Sequence, residues 1–125
     1  HYEAGVKAAM QMLGSIYPKT AAITDAQVAD YLAAKPYDAA KGWEMISEQY
    51  WAATLLNEYE SFNNWRRTGY PTLTPVNYDG NVTGGTIPRR LIYPVSEQAT
   101  NGDNYGAAVA RQGADNFTTR IWWDK

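Results

Sequence analysis

Residues 65–71 read WRRTGYP, Trp65 to Pro71, and residues 87–94 read IPRRLIYP, Ile87 to Pro94. Each stretch sets an arginine pair just ahead of a Tyr-Pro step. A chain of formal net charge −2 thus gathers four of its basic residues into two short blocks. Two readings compete: the guanidinium groups form an anion site, or they fasten the chain to itself. The anion reading has little support, because Gly84-Gly85 lacks the strand and helix flanks of a phosphate loop. The internal reading has specific chemistry behind it. Arginine offers five donors in a rigid fork, which can gather a carboxylate or several carbonyls at once. Long loops carry backbone groups that need such partners. Carboxylates stand at Glu60, Glu97, Asp115 and Asp124. The sequence therefore predicts structural ion pairs drawn from these four and Arg66, Arg67, Arg89 and Arg90. At least one arginine of each pair is expected to be buried.

The first arginine block ends a helical half of the chain. In residues 3–14, Val6, Ala9, Met10 and Leu13 recur at helical spacing, with Gly14 as a stop. A connection follows at 15–23. Thr24 and Gln27 form a capping-box pattern for a helix over 24–34, with Val28, Tyr31 and Leu32 on one face and Pro36 beyond its end. Asp38 opens a longer pattern in which Trp43, Ile46, Tyr50 and Ala53 share a face. That pattern is too long for one helix in so short a chain. Asn57 and Glu60 repeat the capping signature, so a break is expected near 55–58, giving helices over 39–55 and 58–67 with Gly69 as the terminator.

From Tyr70 to Asn101 the composition turns to Pro, Gly, Asn and Thr, which predicts irregular structure with at most a short extended piece at Arg90–Tyr93. A loop this long is unusual in a compact domain. One more helix is expected over 103–112, capped by Asp103 and ended by Gly113. The fold class expected is mainly α, helices joined by long irregular loops, with little or no sheet.

Composition narrows the function. The chain has 125 residues, no Cys and one His, at position 1. Disulfides and thiolate chemistry are excluded, and zinc sites and triads nearly so. No cofactor, metal ligand set or catalytic residue is expected. A pI near 5.3 argues against nucleic acid. No stretch is apolar enough to span a bilayer. Ten Tyr and five Trp against two Phe make an amphipathic aromatic set, suited to sugar stacking or to a loop-rich core. Glu58 and Glu60 lie two apart, on different helix faces, and make a poor acid/base pair. Asn81-Val82-Thr83 and Asn116-Phe117-Thr118 match a glycosylation acceptor pattern that is common by chance. The adjacent Trp122 and Trp123 point in different directions, so at least one ring is expected to be buried.

Three linked blocks, NEYESFNNWRRTGYPTLTP, IPRRLIYPVSEQATN and GADNFTTRIWWDK, resemble the C-terminal region of the SusD/RagB family of outer-membrane nutrient-binding lipoproteins. YEAGVKAAMQMLG near the start is similar to the helix that precedes this region. The family usually has Glu-Ala-Trp where this chain has Glu60-Ser61-Phe62, which removes an indole donor. The resemblance implies that residues 1–125 are the C-terminal part of a longer chain. The remainder would carry the signal peptide, the lipidated Cys and helical repeats. It implies a lipid-anchored, surface-exposed protein of the outer membrane that captures an oligosaccharide, or in some relatives a peptide, for a TonB-dependent SusC-like transporter. It also implies that the arginine motifs mark the fold, since they recur across relatives with different nutrients. No ligand-binding residue is carried over. The alternative function is an interaction scaffold that contacts the transporter or the rest of its own chain without touching nutrient. If a helical layer is contributed from elsewhere, this chain should expose an apolar patch, with Tyr2, Tyr17, Tyr31, Trp43 and Trp51 among its rings. If the loop at 72–101 covers that patch, the chain is a self-contained monomer.

Overall fold

The computed structural model describes residues 1–17 and 22–124. Residues 18–21 of the connection read at 15–23, and the side chain of Leu13, lie outside the described residues. Six α-helices occur among the described residues: α1 (Tyr2–Ile16), α2 (Asp25–Ala34), α3 (Gly42–Ala53), α4 (Glu58–Thr68), α5 (Val95–Thr100) and α6 (Gly102–Gln112). A 3-10 turn, Ala39–Lys41, leads into α3. No strand occurs among the described residues, and the extended piece expected at Arg90–Tyr93 is irregular loop. The chain divides into two compact units, His1–Pro71 and Thr72–Lys125. No helix among the described residues is long and apolar enough to cross a membrane.

In the first unit, α1 buries Val6 and half-buries Ala9 and Met10 on the expected face. Gly14 does not end α1. The helix runs two residues further, to Ile16, and the bare Cα of Gly14 faces Ala22, whose Cα would lie 3.2 Å from any added Cβ. At α2 the capping box is complete: Thr24 Oγ1 accepts from the Gln27 amide, and Gln27 Oε1 accepts from the Thr24 amide at 2.9 Å. Asp25, in the first turn of α2, ties the two helices together. It takes Lys7 Nζ at 2.9 Å and Gln11 Nε2 at 2.8 Å, both from α1. The Lys7 and Gln11 bonds hold its carboxyl below the usual carboxylate range.

The break between α3 and α4 falls at 54–57. Asn57 caps α4 through the Glu60 amide, but the reciprocal half of the box is not made: Glu60 Oε2 accepts instead from Tyr50 Oη at 3.0 Å. That bond raises the Tyr50 phenol above its ordinary value. The α3–α4 hairpin is joined by small polar groups. Ser61 Oγ donates to Thr54 O at 2.8 Å, and Asn64 Nδ2 donates to Ser47 O at 3.3 Å, with Ser47, Ser61 and Asn64 all buried. Gly69 ends α4 at φ +80, a conformation that side-chain-bearing residues rarely adopt. The Tyr70–Pro71 bond that follows is cis.

The second unit holds two departures. Val95–Thr100 forms a short helix that the loop-like composition hid. Asp103 does not cap α6; it sits in the first turn, behind an Asn101 N-cap whose side chain makes no capping bond. Gly113 ends α6 as expected.

Candidate functional site

The arginine blocks fall at the close of α4 and in the loop before α5. Arg66 is buried; its Nη2 donates to Asn63 Oδ1 at 2.6 Å, and its guanidinium lies 4.3 Å over the Phe62 ring. Phe62 in turn stacks on Trp65, also buried, with ring centroids 6.3 Å apart. Arg67 is exposed and bonds Asn64 Oδ1.

The second block is more enclosed. Arg89 Nη1 meets Asp124 Oδ1 at 2.8 Å, and Arg120 meets the same oxygen at 3.2 Å; the Asp124 side chain is fully covered. Arg90 Nη2 meets Asp115 Oδ1 at 3.1 Å, with only 10% and 6% of the two side chains exposed. Asp115 also accepts from the Tyr93 backbone amide and from Tyr105 Oη, each at 3.2 Å. The Tyr93 and Tyr105 rings meet edge to face at 5.8 Å, and Arg90 lies over Tyr93. Asp115 is therefore a hub joining loop, helix α6 and the segment after it. A charge held so fully inside is engaged in binding its own chain and presents little of itself to a ligand. Of the other carboxylates singled out, Glu60 bonds Tyr50, and Glu97 accepts from Asn101 Nδ2 at 3.0 Å. Sequence reading did not single out Tyr93 or Tyr105, although the Tyr-Pro step after the second arginine pair carried Tyr93.

Both acceptor-like triplets are turns. Asn81 Oδ1 accepts from the Thr83 amide and hydroxyl, and Asn116 Oδ1 does the same for Thr118. Such Asx geometry explains the Asn-x-Thr spacing without any modification. Trp122 is 95% exposed, while Trp123 is half-buried, as adjacent rings require.

Each unit also holds a concavity among its described residues. In the first unit, an apolar cleft of about 650 Å³ opens between α1 and α3. Its walls include Val6, Ala9, Met10, Ile46 and Ala53, the same faces that periodicity assigned to a core. Of the rings expected at the surface, Tyr17 and Trp43 are exposed at 60% and 56%. Tyr2, Tyr31 and Trp51 are only half-exposed. Tyr2 packs on Tyr37 at 4.9 Å, and Tyr31 Oη is bonded to Gln49. In the second unit, a smaller cleft of about 380 Å³ is lined by Tyr78, Asn81, Thr83, Ile87 and Phe117. The Thr83 and Thr86 hydroxyls there are committed to bonds within the loop. No group of three or more potential metal ligands occurs among the described residues.

Comparison with known proteins gives this architecture a context. A SusD-like family profile, described as starch-binding and associating with the outer membrane, matches residues 1–94. Among solved structures, a chitin-binding protein is 40% identical, with a TM-score of 0.88 over 98% of this chain and 27% of its own. A Bacteroidetes SusD-like protein is 35% identical, with a TM-score of 0.86 over 99% of this chain and 25% of its own. A chitin-binding SusD homologue from Flavobacterium johnsoniae is 30% identical, with a TM-score of 0.74 over 99% of this chain and 30% of its own. The chain thus spans between a quarter and a third of the length of these structures. Among curated proteins, no sequence matches it. The all-helical architecture, the profile match over most of the residues and the likeness at up to 40% identity agree: the chain belongs to the SusD-like family.

Proposed function

We propose that residues 1–125 are the C-terminal region of a longer glycan-binding lipoprotein of the outer membrane. The protein is surface-exposed, held by a lipid anchor outside these residues, and serves a TonB-dependent SusC-like transporter. Its role is capture, with no catalytic step. The observation that carries this reading is the 40% identity and TM-score of 0.88 to a chitin-binding protein over nearly the whole chain. A second chitin-binding homologue supports the same ligand class, oligomers of N-acetylglucosamine. Isothermal titration of the longer protein against N-acetylglucosamine oligomers, starch oligosaccharides and peptides tests it. Saturable binding of a glycan is expected. Binding of peptides alone would move the protein to the peptide-capturing relatives, and binding of neither would sink the capture role.

Within that protein, a scaffold role for this region is favoured by one observation. Its enclosed charges pair within the chain: Arg90 with Asp115, which also accepts from the Tyr93 amide, and Asp124 with Arg89 and Arg120. The arginine blocks then act as fold staples. Titration of the 125-residue chain beside the longer protein separates the roles: glycan bound by the longer protein and not by this chain supports the scaffold.

A further inference from the structure

Asparagine is a chemically labile side chain, and the residue that follows it governs how labile it is. Eight asparagines occur in the chain, and one of them, Asn101, precedes a glycine. Asn101 lies exposed between α5 and α6, with non-helical backbone at φ −141 and ψ 39. Gly102 opens α6, so its N–H has no acceptor within the helix, and it makes no other backbone hydrogen bond among the described residues. A Cβ at Gly102 would meet nothing within 4 Å, so no neighbour crowds this nitrogen. The Asn101 side chain is held from both ends. Asn104 Nδ2 donates to its Oδ1 at 2.7 Å, and its own Nδ2 donates to Glu97 Oε2 at 3.0 Å. The Asn104 donor stands where negative charge grows when a nucleophile adds to the side-chain carbonyl.

We propose that Asn101 is a self-modifying site, at which the Gly102 nitrogen attacks the asparagine side chain. The Gly102 amide gives its proton to hydroxide, its nitrogen bonds to Cγ of Asn101, and the Cγ–Nδ2 bond breaks, with ammonia leaving on a proton from water. Water opens the resulting cyclic imide at either carbonyl, to aspartate or to isoaspartate. At ψ 39 the Gly102 nitrogen lies on the far side of the Cα–C bond from Cβ. Attack therefore waits on rotation about that bond, which breaks the Tyr105 amide–Asn101 O bond of 2.9 Å and frays the first turn of α6. Tyr105 holds that turn in place, because its hydroxyl donates to Asp115 at 3.2 Å and accepts from Gln98. The products act back on the same contacts. A carboxylate at position 101 faces Glu97 where an amide donor stood. Isoaspartate also adds one carbon to the main chain, which puts the Tyr105 amide out of register with its acceptor and loosens Tyr105 from the Asp115 hub.

The protein is held at mildly alkaline pH and sampled over time. It is then digested with trypsin at mildly acidic pH, where the peptide itself converts slowly, to release residues 91–111 as one peptide. A mass gain of one dalton located at Asn101 is expected, faster than any at Asn104 in the same peptide. Two products should separate by chromatography, and a protease specific for aspartate should cut only one of them before residue 101. Isoaspartate arises only through the imide, so aspartate as the sole product would overturn the attack by Gly102. Gly102→Ala should lower the rate at Asn101 to that at Asn104 with circular dichroism unchanged, because the added Cβ finds open space. Tyr105→Phe should raise the rate, since the first turn of α6 then frays more easily. Equal rates at Asn101 and Asn104 in the unsubstituted protein would overturn the site. A rate unmoved by Tyr105→Phe would overturn the gate. None of these readings depends on the ligand, so the glycan assignment and the modification site fail separately.

Discussion

Residues 1–71 and residues 72–124 stay folded by different means. The first unit buries Val6, Val28 and Trp65 between helices and closes its helix ends with side-chain caps. The second has no apolar residue so fully buried among the described residues; its enclosed groups include charges, Asp124, Asp115 and Arg90. The difference follows from composition. A segment rich in Gly, Pro and Asn makes little regular structure, so its backbone groups look to side chains for partners. Arginine meets that need, and so does a carboxylate that accepts from an amide, a phenol and a guanidinium together.

The contrast is breakable first at its hub. Asp115→Ala leaves Arg90 charged in an enclosed site and frees the Tyr93 amide and the Tyr105 hydroxyl. The expected loss is ~3–5 kcal/mol, the scale for breaking a buried pair. Hydrogen exchange should show protection collapsing across 72–124; unchanged protection there would break the contrast outright. The next test addresses the helical unit. Val28→Ala removes buried hydrocarbon and should cost about 2 kcal/mol in a denaturant titration. A loss as large as that of Asp115→Ala would mean that both units depend equally on packing. Smaller still is Thr24→Ala, which deletes a helix cap worth ~1 kcal/mol and should speed amide exchange at the start of α2. An unaltered exchange rate at the Gln27 amide would remove caps from the account.

The smallest effect expected is on pH. Asp25 has a folded pKa depressed below its ordinary 3.8, chiefly by the Lys7 hydrogen bond. Its contribution is therefore complete above that value and is lost as pH falls through the lower folded value. Because the group is exposed, Asp25→Asn should leave the melting temperature nearly unchanged at neutral pH and flatten only the acid limb. A large change at neutral pH would place unexpected weight on the α1–α2 clasp.

The sequence disclosed most where signals are local. The Thr24–Gln27 box, the break after Ala53 and the glycine at 69 each declare themselves within a few residues, and each stands where periodicity and capping set it. Gly14 misled because a glycine in a helix costs only ~1 kcal/mol, which a close approach to Ala22 can offset. Helix α5 was hidden because it has no side-chain cap; Pro94 with Glu97 in the first turn was the readable signal. The arginine blocks announced themselves, but their partners did not. Arg89 and Asp124 are 35 residues apart, and no spacing rule links them. Helical periodicity also identified apolar faces on α1 and α3 without revealing that they border an open cleft. Periodicity reports which side of a helix avoids water, and it says nothing of what fills the space beside it.

The hairpin of α3 and α4 has a mechanical character. Ser47–Asn64, Tyr50–Glu60 and Thr54–Ser61 form three polar rungs between antiparallel helices. Sliding one helix along the other strains all three rungs together. Prising the helices apart from one end strains them one after another. The hairpin should thus be stiff in shear and weak in peel, and a force from the chain on either side would be resisted or yielded to according to its direction rather than its size alone.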